Sequence, residues 1–165
     1  MIKNKTFATV ITGLLCMLVS VNASTQPIFS INRTIKAELS LLKISAEIQV
    51  ANTPQCIFDS AAYGWGAENT CPSEIVRAVS VFHAGRRQIV PLSAFADLGS
   101  PRAARLIGTS SKNFTLLMTG GEASTAYTAY LKFNGTALVS RKVESGEFPK
   151  ESNEITMYKF NTQSR

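Results

Sequence analysis

The chain has 165 residues, 45% of them hydrophobic and 17% charged, with a formal net charge of +6. That length suffices for one domain with a real core, and the mild positive excess contains no Lys/Arg run longer than a pair, so nucleic-acid binding is not expected. A single histidine and three cysteines leave too few ligands for a zinc site, no cofactor motif is present, and neither metal nor cofactor is expected.

Residues 1–23 read as a cleaved secretory signal. Lys3 and Lys5 form a basic head, Phe7 to Val21 an apolar stretch, and Val21-Asn22-Ala23 supplies small residues where a signal peptidase cuts. The apolar stretch is shorter than the roughly 20 residues of a spanning helix, so no stable membrane span is expected after cleavage. The mature chain would carry a formal charge of +4 and lie in the periplasm or outside the cell. Cys16 would leave with the signal. Cys56 and Cys71 would then form a disulfide, as an even cysteine pair does in an oxidising compartment. Closing a loop of about 15 residues contributes on the order of 3 kcal/mol in the chain-entropy account.

Residues 24–34 are polar and mixed, and read as a loose N-terminal arm before a single β domain over residues 35–165. Ile35, Ala37, Leu39 and Leu41 alternate with polar residues, and so do Leu42, Ile44, Ala46, Ile48 and Val50. The apolar parity flips between Leu41 and Leu42, which calls for a bulge or a turn. The stretch from Cys56 to Cys71 is irregular and carries Tyr63 and Trp65 between glycines. From Ser73 a strand resumes, with Ile75, Arg77, Val79, Val81 and His83 on one face. A two-residue turn at Ala84-Gly85 would set His83 opposite Arg86 and Phe82 opposite Arg87.

Ser93 to Gly99 reads as a short helix capped by Ser93 and stopped by Gly99. Pro101 to Gly108 is ambiguous, and Asn113 to Met118 is a strand. Ser124 to Phe133 and Thr136 to Val143 form a hairpin through Asn134-Gly135, with Phe133 facing Thr136, Leu131 facing Leu138 and Tyr130 facing Val139. Glu154 to Phe160 makes the last strand. The expected fold is all-β, a small antiparallel β-sandwich or open barrel of about seven to eight strands with one short helix and one disulfide.

No catalytic arrangement stands out. His83 is the only imidazole, and no nucleophile elbow accompanies it. Glu144, Glu147, Glu151 and Glu154 cluster late in the chain, where solvated acid is the simpler account than a carboxylate pair. The pair Arg141-Lys142 likewise reads as solvated charge.

Two features are candidate binding sites. The disulfide-tied loop holds Tyr63 and Trp65, good anchors for a partner, although tryptophan's habit of burial favours a core-capping role for Trp65. The Arg86-Arg87 tip, joined by Arg102 and Arg105, would offer guanidinium groups to carboxylates. The expected function is that of an exported, non-enzymatic domain of inhibitor or immunity type, binding another envelope or secreted protein. The alternatives are a cell-wall glycan-binding module using Tyr63 and Trp65, and a carboxylate-dependent hydrolase.

Overall fold

Alternating apolar residues and left-handed turn residues shape nine strands among the described residues. The structure, a computed structural model, describes residues 30–53, 64–67, 71–135, 137–150 and 153–159. The expected signal over residues 1–23, Cys56 and Tyr63 lie outside the described residues.

The first four strands are β1 (Ile31–Leu39), β2 (Ile44–Asn52), β3 (Glu74–His83) and β4 (Arg86–Gln88). They form an antiparallel sheet in chain order. β1 thus begins four residues before the expected Ile35. Between β1 and β2 the chain takes a 3-10 turn over Ser40–Leu42, which closes on Lys43 at φ 54°, ψ 42°. This turn answers the parity flip, and it lifts Leu41 out of the strand, leaving it 95% exposed. The β3–β4 hairpin has the expected register, His83 opposite Arg86 and Phe82 opposite Arg87. Ala84 and Gly85 both take positive φ, as a type I′ turn requires.

The other five strands, β5 (Pro101–Ser110), β6 (Asn113–Gly120), β7 (Tyr127–Asn134), β8 (Ala137–Ser145) and β9 (Asn153–Met157), form a second antiparallel sheet, again in chain order. Residues of both sheets join one apolar core, with Ile48, Val50 and Val81 from the first and Leu116, Leu131, Phe133 and Val143 from the second. Phe114 and Phe133 stack within it, centroids 4.8 Å apart. An isolated parallel bridge from Ile89 to Ala137 ties the end of β4 to the start of β8. No helix among the described residues is long and apolar enough to cross a membrane.

Three details differ from the sequence reading, and bulges or bridges explain each. In β3 the register slips between Val76 and Ala78, so Arg77 turns out to solvent and Val76 joins Val79 and Val81 in the core. In the β7–β8 hairpin Phe133 pairs with Leu138 rather than Thr136, and Leu131 and Tyr130 pair with Arg141 and Lys142. The slip falls at Val139, which has no register partner in β7, and it reverses the inward parity of β8 beyond that point. The helix expected over Ser93–Gly99 is a 3-10 turn over Leu92–Ala94, with Pro91 at its N-cap and no side-chain cap. Leu98 and Gly99 are instead drawn into bridges with Trp65 and Ile75, which ends helical winding.

Candidate functional site

The bulge in β8 has its largest effect on Arg141. Turned inward, it is only 1% exposed. Its Nη2 donates to Asp97 Oδ2 at 2.5 Å, and its Nη1 donates to Glu154 Oε1. Glu154 accepts a further hydrogen bond from Thr156 Oγ1 at 3.2 Å, and its Oε2 accepts from the Trp65 indole Nε1–H at 3.3 Å. Arg141, read from sequence as solvated, therefore anchors a buried network. A strand pattern of period two gives no warning of this, because only the extra residue at Val139 reverses the face. Of the late acids among the described residues, Glu154 turns to Arg141 and Glu144 to Lys142.

This network holds the short segment 64–67 against the fold. The Trp65 N–H donates to Asp97 O at 3.3 Å, the Gly99 N–H to Trp65 O at 2.9 Å, and the Val76 N–H to Leu98 O at 3.1 Å. Trp65 is half-buried and packs on the main core. Gly66 sits at φ +83°, and a Cβ there would lie 2.2 Å from Gly99 O, so only glycine fits. Beneath it the buried Tyr127 hydroxyl donates to Gly99 O at 3.1 Å, and burial raises the phenol above its ordinary pKa.

A cleft of about 700 Å³ opens between this segment and the 3-10 turn Ala123–Thr125. Two ion pairs line it. Arg33 meets Glu74 at 2.7 Å while also donating to Pro101 O, and Arg102 meets Glu122 at 2.8 Å. The Arg33 hydrogen bond holds the Glu74 carboxyl below the usual glutamate range, with Asn32 Nδ2 donating to it at 2.6 Å. Both cleft guanidinium groups are thus already matched.

The other end of the molecule is different. Four turns meet there: Ser40–Lys43, Ala84-Gly85, Ser111-Lys112 and the turn entered at Gly135. The Ala84 N–H donates to Lys43 O at 2.9 Å, and the Gly135 N–H to Lys112 O at 2.7 Å. His83 and Phe114, with ring centroids 6.4 Å apart, join the two pairs across the sheets. Lys43, Arg86, Arg87 and Lys112 are all exposed here, and none forms an ion pair among the described residues.

The structure therefore separates the two binding features expected from the sequence. Trp65 borders Gly99, which bridges Ile75 at the start of β3, whereas Arg86 pairs with His83 at its end. Eight residues of strand put them about 26 Å apart. Arg102 belongs to the cleft end, and Arg105 pairs with Leu117 in the second sheet, so neither joins the Arg86-Arg87 tip. Lys43 and Lys112 join it instead, which no local pattern reveals because they come from other hairpins. Among the described residues no group of three His, Cys, Asp or Glu side chains could hold a metal ion. Comparison with protein-family models, with curated proteins and with solved structures finds no match for this chain.

Proposed function

We propose that the protein is an exported, non-enzymatic binding domain that acts on another envelope or secreted protein, in the manner of an inhibitor or immunity factor. The observation that carries this reading is the Arg86-Arg87 tip: both side chains are exposed and form no ion pair among the described residues, while Arg33, Arg102 and Arg141 are all paired. An unneutralised tip suits an acidic partner. The non-enzymatic reading draws support from Asp97 and Glu154, both hydrogen-bonded to Trp65, being held by Arg141. The export signal over residues 1–23 and the Cys56–Cys71 bridge belong to the same proposal. The shared core and the Ile89–Ala137 bridge support a sandwich or open barrel for the two sheets.

Less supports a glycan-binding module, since the Trp65 indole is half-buried with its N–H in use. The two readings part in one experiment. The oxidised protein, purified after export, is used as bait for envelope and secreted fractions and, separately, sedimented with cell-wall material. One protein recovered at near-equal stoichiometry, and lost with the Arg86→Glu/Arg87→Glu double variant, supports the proposal. Co-sedimentation with wall material and no protein capture would overturn it in favour of the glycan module.

A further inference from the structure

We infer that the docking face is the whole four-turn end, and that it fits a protein surface with an acidic patch around a small apolar pocket. This rests on the protein-binding reading above and deepens it, because it adds residues from three other hairpins to the Arg86-Arg87 tip.

The argument begins with charge. Lys43, Arg86, Arg87 and Lys112 come from three turns; the Ala84–Lys43 backbone bond holds the first two side by side, and the His83–Phe114 ring contact brings in the Lys112 turn, itself bonded to Gly135. Against the four cations stands Glu38, opposite Ser45 in register, whose carboxylate accepts from Ser40 Oγ at 2.9 Å. An excess of positive charge spread over one end focuses a field that steers an acidic partner and sets its orientation. The same excess costs little in the free protein because every one of these side chains is solvated.

Two exposed aliphatic side chains lie at the same end. Leu41 is 95% exposed at the crest of its turn, and Ile89 is 72% exposed where it bridges Ala137, just past the β7–β8 turn. The 3-10 turn that exposes Leu41 is closed by a left-handed Lys43, so the leucine and the lysine are presented by one rigid device. A membrane surface is the less suitable occupant. Interfacial anchoring relies on a broad apolar face, and here two separate aliphatic side chains stand among cations. Two anchors ringed by charge match the hot-spot and rim layout of a protein interface.

The test uses the full exported protein, labelled with nitrogen-15, and a synthetic peptide of alternating glutamate and leucine as the probe. Amide shifts are expected in all four turns, at Leu41 to Lys43, Ala84 to Arg87, Lys112 and Gly135. The Lys43→Glu/Lys112→Glu variant should weaken the peptide by at least about tenfold, and Leu41→Ser by several-fold, with the core resonances unchanged. Replacing the leucines of the peptide with serine should weaken it in parallel. No binding, shifts confined to the β3–β4 hairpin, or tighter binding to phosphatidylglycerol vesicles than to the peptide would each overturn the inference. Its failure is separable from that of the broader reading. A captured protein whose binding ignores Lys43 and Lys112 sinks this face alone, whereas a peptide that maps to the four turns, with no protein captured, sinks the inhibitor reading alone.

Discussion

Arg141 and Asp97 meet at 2.5 Å, and the contact fastens the second sheet to the segment that leads from β4 to β5. The two partners are not equally buried: the Arg141 side chain is 2% exposed and that of Asp97 31%. Glu154, the second carboxylate on Arg141, is 45% exposed. The acids thus sit at the solvent side of a cation that has left water.

That asymmetry decides which partner is more costly to remove. Asp97→Asn leaves a buried guanidinium facing one carboxylate, and breaking a buried pair in this way costs about 3–5 kcal/mol, less here because Glu154 remains. Arg141→Met removes the buried charge, fills much of the same space and leaves two acids that can hydrate, so it should cost less than Asp97→Asn. Urea midpoints of the two variants at neutral pH check the order. Equal losses would mean that packing of the arginine stem, not charge, dominates.

Two glycines with positive φ should respond very differently to alanine. At Gly85 (φ +77°) a Cβ meets nothing within 4 Å, so Gly85→Ala carries only the left-handed backbone penalty, about 1–2 kcal/mol. At Gly66 the same Cβ lies 2.2 Å from Gly99 O, a backbone atom that cannot swing away. Gly66→Ala should therefore detach the segment around Trp65 from the bridge to Leu98, seen as increased exchange of the Gly99 amide. A Gly66→Ala protein with Gly99 protected as in the parent would refute this account of the cleft.

The pH dependence at the cleft has a defined sign. The Glu74 pKa in the folded protein is lowered from its ordinary 4.5, mainly by the Arg33 hydrogen bond. Its contribution is therefore complete above about pH 4.5 and is lost as the pH falls through the depressed folded value. The pair is partly solvated, which limits the effect to about 1 kcal/mol or less. The stability difference between parent and Glu74→Gln should be constant from neutral pH down to about 5 and shrink below 4.5. A difference that grows on acidification would contradict this assignment.

How far the sequence could be read depends on whether a feature is local. The β1–β2 parity flip, the Ala84-Gly85 hairpin and the all-β class were legible because period-two alternation and turn residues act over a few positions. The bulges at Arg77 and Val139 were not, since each is set by pairing with a partner strand and neither side chain marks it. One unpaired residue moved Arg141 from the expected surface to the core. The grouping of Lys43 and Lys112 with Arg86 was equally hidden, because it depends on which turns the two sheets bring together. Pro101 to Gly108, ambiguous in isolation, becomes strand by pairing with β6.

Trp65 offers the sharpest separation between the two ends. It is the only tryptophan in the chain, so its emission reports on the cleft end alone. Its half-buried ring packs on the core, and its N–H bond to Glu154 is long, at 3.3 Å, on an exposed acceptor. Packing should therefore dominate: Trp65→Ala is expected to cost about 2–3 kcal/mol, below the range for a fully buried ring, and Trp65→Phe about 1 kcal/mol or less. A protein partner docked at the four-turn end, about 26 Å along β3, should leave the emission maximum of the parent unchanged. A sugar stacked on the indole would shift it by removing water from the ring. Titrating the exported protein with captured partner and with wall glycan, while following that one fluorophore, places each ligand at one end or the other. A shift on partner binding would move the interface to the cleft and make Arg33 and Arg102, rather than Lys43 and Lys112, the cations to mutate next.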